Sequence, residues 1–370
     1  ALRRIPTSQV QRVDIVRGGA PGIDMQGRTV VANVIVGDSI AFKGQWLITA
    51  LALPGKRIGQ TGRLEGQRRQ GQQVLDFSVD AQNLPALGAY GSRQRLRPDG
   101  TTSANTYSES ASRNRQLEVR AGYDDRVLGG RVRLNLADMH SDYAGRSTDQ
   151  SLVTGSTTQN RSSSASARQE GTLRYNRSVD KVMDLEASLF HQDARSENTT
   201  ANSSGSSSQN LRTEGAIRYT YRFGARIDLE ARVQQRQNAS ESRSASNGGS
   251  NIFYSNRESG ERSGGFLVRH RRSAALTFET GIDANEAWQS GSTRFTTPTT
   301  ASAPVYAIEA DRTRYEAYVS SIWKPGPKLI LEGGLRFENA VVATSGSMVS
   351  HREFSLLRPR LALTWNPDKQ

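Results

Sequence analysis

From about residue 60 onward the chain is written in short stretches that alternate between apolar and polar side chains. Leu75, Phe77 and Val79 alternate with Asp76, Ser78 and Asp80, and Leu117, Val119, Ala121 and Tyr123 with Glu118, Arg120 and Gly122. Val132, Leu134 and Leu136 take turns with Arg133 and Asn135. Met183, Leu185, Ala187 and Leu189 do so with Asp184, Glu186 and Ser188. The same rhythm runs through 217–223, 227–233, 276–283, 329–338 and 357–365. A period of two is the mark of a β-strand, whose successive side chains point to opposite faces. The polar face carries full charges, such as Arg218, Arg222, Glu230, Arg336 and Arg360, and a dry sandwich core would not take these unpaired. One face of the sheet must therefore be wet.

The connections between these stretches are of two kinds. Tight turns are predicted at Asp124-Asp125, Val179-Asp180-Lys181, Phe223-Gly224-Ala225, Arg271-Arg272-Ser273 and Pro325-Gly326-Pro327. Between them lie segments rich in Ser, Thr, Asn and Gly (146–163, 199–209, 241–252 and 290–304), which read as long solvated loops. Short turns at one end and long loops at the other are the layout of an outer-membrane β-barrel. Tyr123, Tyr221, Phe223, Trp323 and Trp365 sit beside the tight turns, where an interfacial aromatic girdle would lie. A soluble β-repeat protein is the other reading of the alternation. Solenoid repeats, however, are shorter and lack this division of connections.

Composition narrows the choice further. Only 35% of the 370 residues are hydrophobic and 7% aromatic, sparse for a soluble core of that size but ordinary for a barrel with a polar interior. No run of eighteen apolar residues occurs, which excludes a helical membrane protein. The absence of cysteine fits an exported chain. The net charge of +13 comes from arginines spread over the strands, whereas nucleic-acid binders gather them on one face or tail, so no nucleic-acid partner is expected.

The first forty residues differ. Val10, Val13 and Ile15 mark a short strand, a Gly-rich bend follows (Arg17-Gly18-Gly19-Ala20-Pro21-Gly22), and Thr29 to Val36 reads as a strand buried on both sides. The stretch Arg4-Ile5-Pro6, Val10, then Val13-Asp14-Ile15-Val16-Arg17-Gly18, with the closing Asn33-Val34-Ile35, resembles the late part of the plug domain of TonB-dependent outer-membrane receptors. It departs from that pattern at Ala32, often a glycine, and in Gly22–Arg28, which replaces a Gly-Ala-Ser-rich stretch. Leu331–Glu338 and Leu357–Trp365 resemble barrel strands of the same family more loosely.

The resemblance implies a membrane all-β fold: an antiparallel transmembrane barrel whose lumen holds a plug. Residues 1–37 are expected to be the C-terminal part of the plug and 38–370 the barrel. About fourteen strands are counted in residues 39–366, against the twenty-two expected of such transporters. The chain is therefore expected to be a piece of a longer protein, incomplete at its C-terminus and without the N-terminal box for its energising partner. The implied activity is TonB-dependent uptake of an extracellular ligand (a metal chelate, cofactor or glycan) across the bacterial outer membrane. The implied partners are a TonB-type inner-membrane protein and outer-membrane lipid, and the arginines suit an anionic ligand. A passive porin-like or structural barrel is the alternative.

In that family the plug arginine of the Arg-Gly step pairs with barrel glutamates. Arg17 fits the arginine, and Glu279, Glu332 and Glu338 are the candidate partners, with Ile5, Pro6, Gly18 and Asn33 completing the plug motif. No enzyme constellation is found. His140, His191, His270 and His351 are scattered without ligand spacing, so no metal, cofactor or catalytic residue is expected. Gly18–Gly22 lacks the lysine of a phosphate loop.

Overall fold

The computed structural model describes residues 10–17, 30–36, 42–53, 57–86, 90–96, 102–200, 204–246, 248, 250–298 and 305–365. Among the described residues every regular element is a strand. Strands β1 (Val10–Arg17) and β2 (Val30–Val36) form an antiparallel sheet of their own. The rest is one antiparallel sheet: β3 (Phe42–Leu53), β4 (Arg57–Gln70), β5 (Gln73–Ala86), β6 (Tyr90–Leu96), β7 (Thr102–Val127), β8 (Gly130–Ser151), β9 (Thr157–Val179), β10 (Met183–Thr200), β11 (Ser204–Phe223), β12 (Ile227–Ser246), β13 (Asn251–Ser273), β14 (Leu276–Thr296), β15 (Val305–Gly326), β16 (Leu329–Gly346) and β17 (Ser350–Trp365). Fourteen of these fifteen strands follow one another as a continuous path from β3 to β17, which is the number counted from the sequence. The short β6 stands beside it, paired to the far half of β7.

What this sheet buries is the reverse of a soluble core. Among the described residues the buried side chains are Glu65, Ser78, Asp124, Asp228, Asn285, Glu316 and Glu338, and the one buried hydrophobic residue is Ala340. Large apolar side chains such as Ile217, Val233, Ile282, Val319 and Leu335 are exposed. The register places them together on one face: Ile217 opposes Val233, Phe266 opposes Ile282, and Val319 opposes Leu335. A continuous apolar face of this extent is stable only against hydrocarbon. The sheet is the wall of a membrane barrel.

The apolar face occupies only the half of each strand next to the tight turns. On β12 it runs Ile227, Leu229, Ala231, Val233 and then gives way to Gln235 and Gln237. On β14, Phe278 near the tight turn and Trp288 lie on this face ten residues apart. At a rise of about 3.4 Å per residue and a tilt of about 45°, that spacing is roughly 24 Å, close to the apolar band of such barrels. Trp288 and Tyr315 thus belong to a second aromatic girdle at the outer interface, which the sequence reading did not find. The expected inner girdle is present, since Tyr123, Tyr221, Phe223, Trp323 and Trp365 all stand on the apolar face beside the tight turns.

The expectation of long Ser/Asn-rich loops is corrected. Those segments are mostly strand: β8 continues to Ser151, β10 to Thr200 and β12 to Ser246. Serines continue the ladder there, with Ser196 opposite Ser208 and Asn198 opposite Ser206. The main chain supplies the ladder's hydrogen bonds, so pairing persists where neither face touches hydrocarbon and the alternation fades. Strands of 18 to 26 residues in β7–β15 exceed the ten or so needed to cross the membrane. They project past it on the side away from the tight turns.

The tight turns lie within a few residues of their predicted places. The one expected at Asp124-Asp125 is made by Leu128-Gly129, between the paired Val127 and Gly130. Both turn residues have positive φ (52° and 74°), as the right-handed strand twist requires of a two-residue type I′ turn. At the next, Asp180 and Lys181 take φ 49° and 57°, conformations that favour glycine.

Candidate functional site: the polar face of the wall

Directly behind the apolar band, the other face is a lattice of arginines and carboxylates. Arg131 donates to both oxygens of Asp124 (2.6 and 2.9 Å), and Arg133 adds a third bond at 3.0 Å. Arg222 donates to Asp184, Arg218 to Glu230 at 2.8 Å, and Arg271 to Asp228 at 2.6 Å. These pairs answer the objection raised by the sequence, because each of these carboxylates meets a guanidinium on a neighbouring strand.

Some contacts skip a strand. Arg232 on β12 reaches Asp283 on β14 at 2.7 Å, passing over Gly265 of the intervening β13. A Cβ on Gly265 would lie 2.0 Å from the Asp283 carboxylate and 3.0 Å from the Arg232 Nε. Gly281 is likewise the floor beneath the Tyr318 ring. Arg312 donates to the Asn285 carbonyl at 3.0 Å, and Asn285 donates to Glu261 at 2.6 Å, which ties three strands together. Glycine at these places is required by close approach, not by backbone conformation.

The predicted site residues fall as follows. Glu279 lies on β14 with its carboxylate taken by Arg269 Nε at 2.5 Å. Glu332 and Glu338 share the polar face of β16. Glu332 is 41% exposed and its nearest guanidinium, on Arg360, is 3.6 Å away. Glu338 is buried between Arg358 at 3.3 Å and Arg314 at 4.0 Å. Arg17 ends β1 opposite Val30, and Asn33 on β2 stands opposite Asp14. Ile5, Pro6 and Gly18 lie outside the described residues.

Two histidines make contacts on the membrane-facing side: His140 lies 3.0 Å from Asp138, and His191 Nδ1 is 2.9 Å from the Thr213 hydroxyl. No group of three potential metal ligands occurs among the described residues. Beyond the apolar band, Arg195 holds the Asp193 carboxyl below its ordinary pKa, chiefly by hydrogen bonding, with help from Gln209. No described helix is long and apolar enough to cross a membrane, which has no bearing on strands.

An apolar band on one face, a wet ion-pair lattice on the other and polar strand extensions on one side define an outer-membrane β-barrel. More than half of the chain, residues 171–370, matches the family of TonB dependent receptor-like β-barrels. The chain belongs to that family, whose members are outer-membrane receptors rather than enzymes, and its place is the bacterial outer membrane. Membership implies outer-membrane transport, ligand binding and interaction with TonB in general terms. Two solved structures are similar at low level. The P. putida toluene transporter TodX is 9% identical, with 88% of this chain and 87% of that one covered, at a TM-score of 0.24. An outer-membrane channel from Pseudomonas putida F1 is 10% identical, with 80% and 97% covered, at a TM-score of 0.21. Both similarities are faint. No curated protein matches the chain.

Proposed function

We propose that this barrel carries out TonB-dependent active uptake of an extracellular ligand, a metal chelate, cofactor or glycan, with residues 1–37 as the late part of a plug and 38–370 as barrel. The observation that carries the reading is the family match over residues 171–370. It is supported by the two-stranded sheet of β1 and β2, which pairs outside the barrel sheet and includes the Arg17 and Asn33 of the plug motif. In this reading outer-membrane lipid covers the apolar face, and the energising partner pulls on the plug to open a path.

Of the three candidate partners for Arg17, Glu332 is the one with room. The Glu279 carboxylate is already bonded to Arg269, and Glu338 sits among arginines that would repel another. Arg17 paired with Glu332 would act as a reversible lock more than as a source of stability.

The full protein reconstituted in a planar bilayer is expected to show no steady conductance. Ligand uptake by cells is expected to stop when TonB is deleted or the proton-motive force is collapsed. A stable ohmic channel, or uptake unaffected by both treatments, would favour the passive porin-like barrel instead. Arg17→Glu is expected to loosen the plug and admit a leak current, and adding Glu332→Arg should suppress it. No suppression would remove Glu332 from the lock.

A further inference from the structure

Beyond the apolar band the lumen face changes character from strand to strand. On β9 to β12 it carries hydroxyl and amide groups, as in Ser164, Ser196, Asn198, Ser206, Ser208 and Ser242. On β13 to β15 the same face ends in Phe253, Phe295, Tyr306 and Ile308, which are 41%, 48%, 60% and 41% exposed. The ladder runs through these positions without a bulge, so counting by twos from Arg269, Glu279 and Glu316 puts all four on the lumen side.

The register gathers them into one patch. Phe253 stands directly opposite Phe295, and Thr293, two residues from Phe295, has Tyr306 opposite it. Ile308 is flanked by Gly291 on one side and Gly346 on the other, so no side chain covers its flanks. Aromatic residues directly across a ladder ordinarily gain by stacking on each other. Here neither phenylalanine ring stacks on another ring of the described residues, and their faces stay open.

Lipid does not account for the patch. Phe295 lies seven residues past Trp288 of the outer girdle and on the opposite face, roughly 17 Å further out at the strand rise and tilt of such barrels. A globular partner does not account for it either, since a stable interface covers about 800 Å² on each side, far more than four side chains offer. An exposed apolar cluster of this size suits a small molecule. Phenylalanine and isoleucine have no hydrogen bond to give, so saccharide hydroxyls set against them would be left unpaired. A flat aromatic ring loses no hydrogen bond there and can stack on the open faces. In the adjoining row Ser242, Ser255 and Thr293 supply hydroxyls for polar groups at the edge of such a ring.

We propose that the outer end of the lumen face on β13–β15 is a capture site for a planar aromatic group of the transported ligand, held by Phe253, Phe295 and Tyr306 with Ile308 at its edge. All three strands are paired on both sides, so the site is built inside the wall and not at an edge of the sheet. The proposal rests on the uptake reading above and narrows its ligand to one with an aromatic portion.

Fluorescence anisotropy of riboflavin, a neutral planar probe, titrated with the full protein in lipid nanodiscs tests it, with empty nanodiscs as the background. Riboflavin is expected to bind saturably with sub-millimolar affinity, and maltohexaose, an uncharged saccharide, should not compete. F253S/F295S should weaken riboflavin at least tenfold, while F253L/F295L, apolar but not planar, should fall between. Y306F, which keeps the ring, and Y254S, on the opposite face of β13, should leave binding unchanged. Should F253S/F295S fail to fold, Y306S carries the test with an expected loss of threefold or more. No saturable binding by the wild-type protein, unchanged binding in the folded serine variants of the patch, or equal loss in Y254S overturns the site. So does displacement by maltohexaose, which would assign the patch to saccharides. A dimer that F253S/F295S turns into a monomer would assign it to a second copy of the chain and overturn it too. The titration needs no energised partner. Binding alongside TonB-independent uptake would keep the site and sink the uptake reading, and TonB-dependent uptake without binding would do the reverse.

Discussion

Replacing Gly265 by alanine tests whether the strand-skipping contacts hold the wall together. The new Cβ would sit 2.0 Å from Oδ1 and 3.1 Å from Cγ of Asp283, a short side chain with little room to withdraw. The Arg232–Asp283 bond at 2.7 Å would have to open. A hydrogen bond between charged groups is worth about 1.5–3 kcal/mol. Arg232 is 58% exposed, so solvent screening brings the loss to about 1–2 kcal/mol. Alanine recovers part of this, about 0.5–1 kcal/mol, because glycine in a strand interior is entropically costly. The net expectation for G265A is a destabilisation of about 1 kcal/mol, the difference of those two estimates. In a D283A background the obstacle is gone, and G265A should stabilise by about 0.5 kcal/mol or more. Reversible denaturant unfolding in lipid vesicles, followed by the fluorescence of Trp288 and Trp323 on β14 and β15, gives both values in one cycle. Strict additivity of the two substitutions would refute the reasoning.

Other substitutions probe other parts of the wall. Lys181→Gly, at φ 57°, should stabilise the tight turn by up to about 1 kcal/mol, since only glycine takes that conformation without strain; the same unfolding assay reads it. Val319→Arg, on the apolar face in mid-band, should cost about 2–4 kcal/mol, whereas Ser290→Arg, past the band and flanked by Glu258 and Glu309, should cost less than about 1 kcal/mol. Equal costs would mean that the band is misplaced. The Asp193 carboxyl, whose folded pKa is lowered, contributes stability above its unfolded pKa and loses it as pH falls through the folded value. Any penalty of Asp193→Asn should then be constant between pH 5 and 8 and shrink only in stronger acid, as melting profiles across that range would record.

The membrane half of each strand was legible because hydrocarbon selects one face and water the other, so Ile227, Leu229, Ala231 and Val233 write the period into the sequence. The outer half was not. Ser204–Asn210 pairs with β10 as regularly as the apolar half does, yet nothing in the order of its side chains shows it. The contacts across glycine were hidden for a related reason. Gly265 shows its role only when Arg232 and Asp283, 51 residues apart, are seen to meet above it. The candidate lock residues were found as types on a polar face, Glu279 and Glu338 included. What the sequence lacked was the arginine each already faces, because register between strands is not a property of either strand alone.

That register decides how the charges divide the wall. Where an arginine meets a carboxylate on a neighbouring strand, as Arg218 stands opposite Glu186 and bonds Glu230 diagonally on β12, the pair closes on itself and leaves the lumen little free charge. Where arginine faces arginine, as at Arg336 and Arg358, each guanidinium turns to a glutamate on the diagonal, Glu316 at 3.4 Å and Glu338 at 3.3 Å. A one-residue slip of β17 against β16 would send Arg358 and Arg360 into lipid and Leu357 and Leu361 into water, which burial of the apolar face forbids. The membrane thus enforces the facing of like charges: the apolar residues lock the register, and the register decides which charges stand opposite one another.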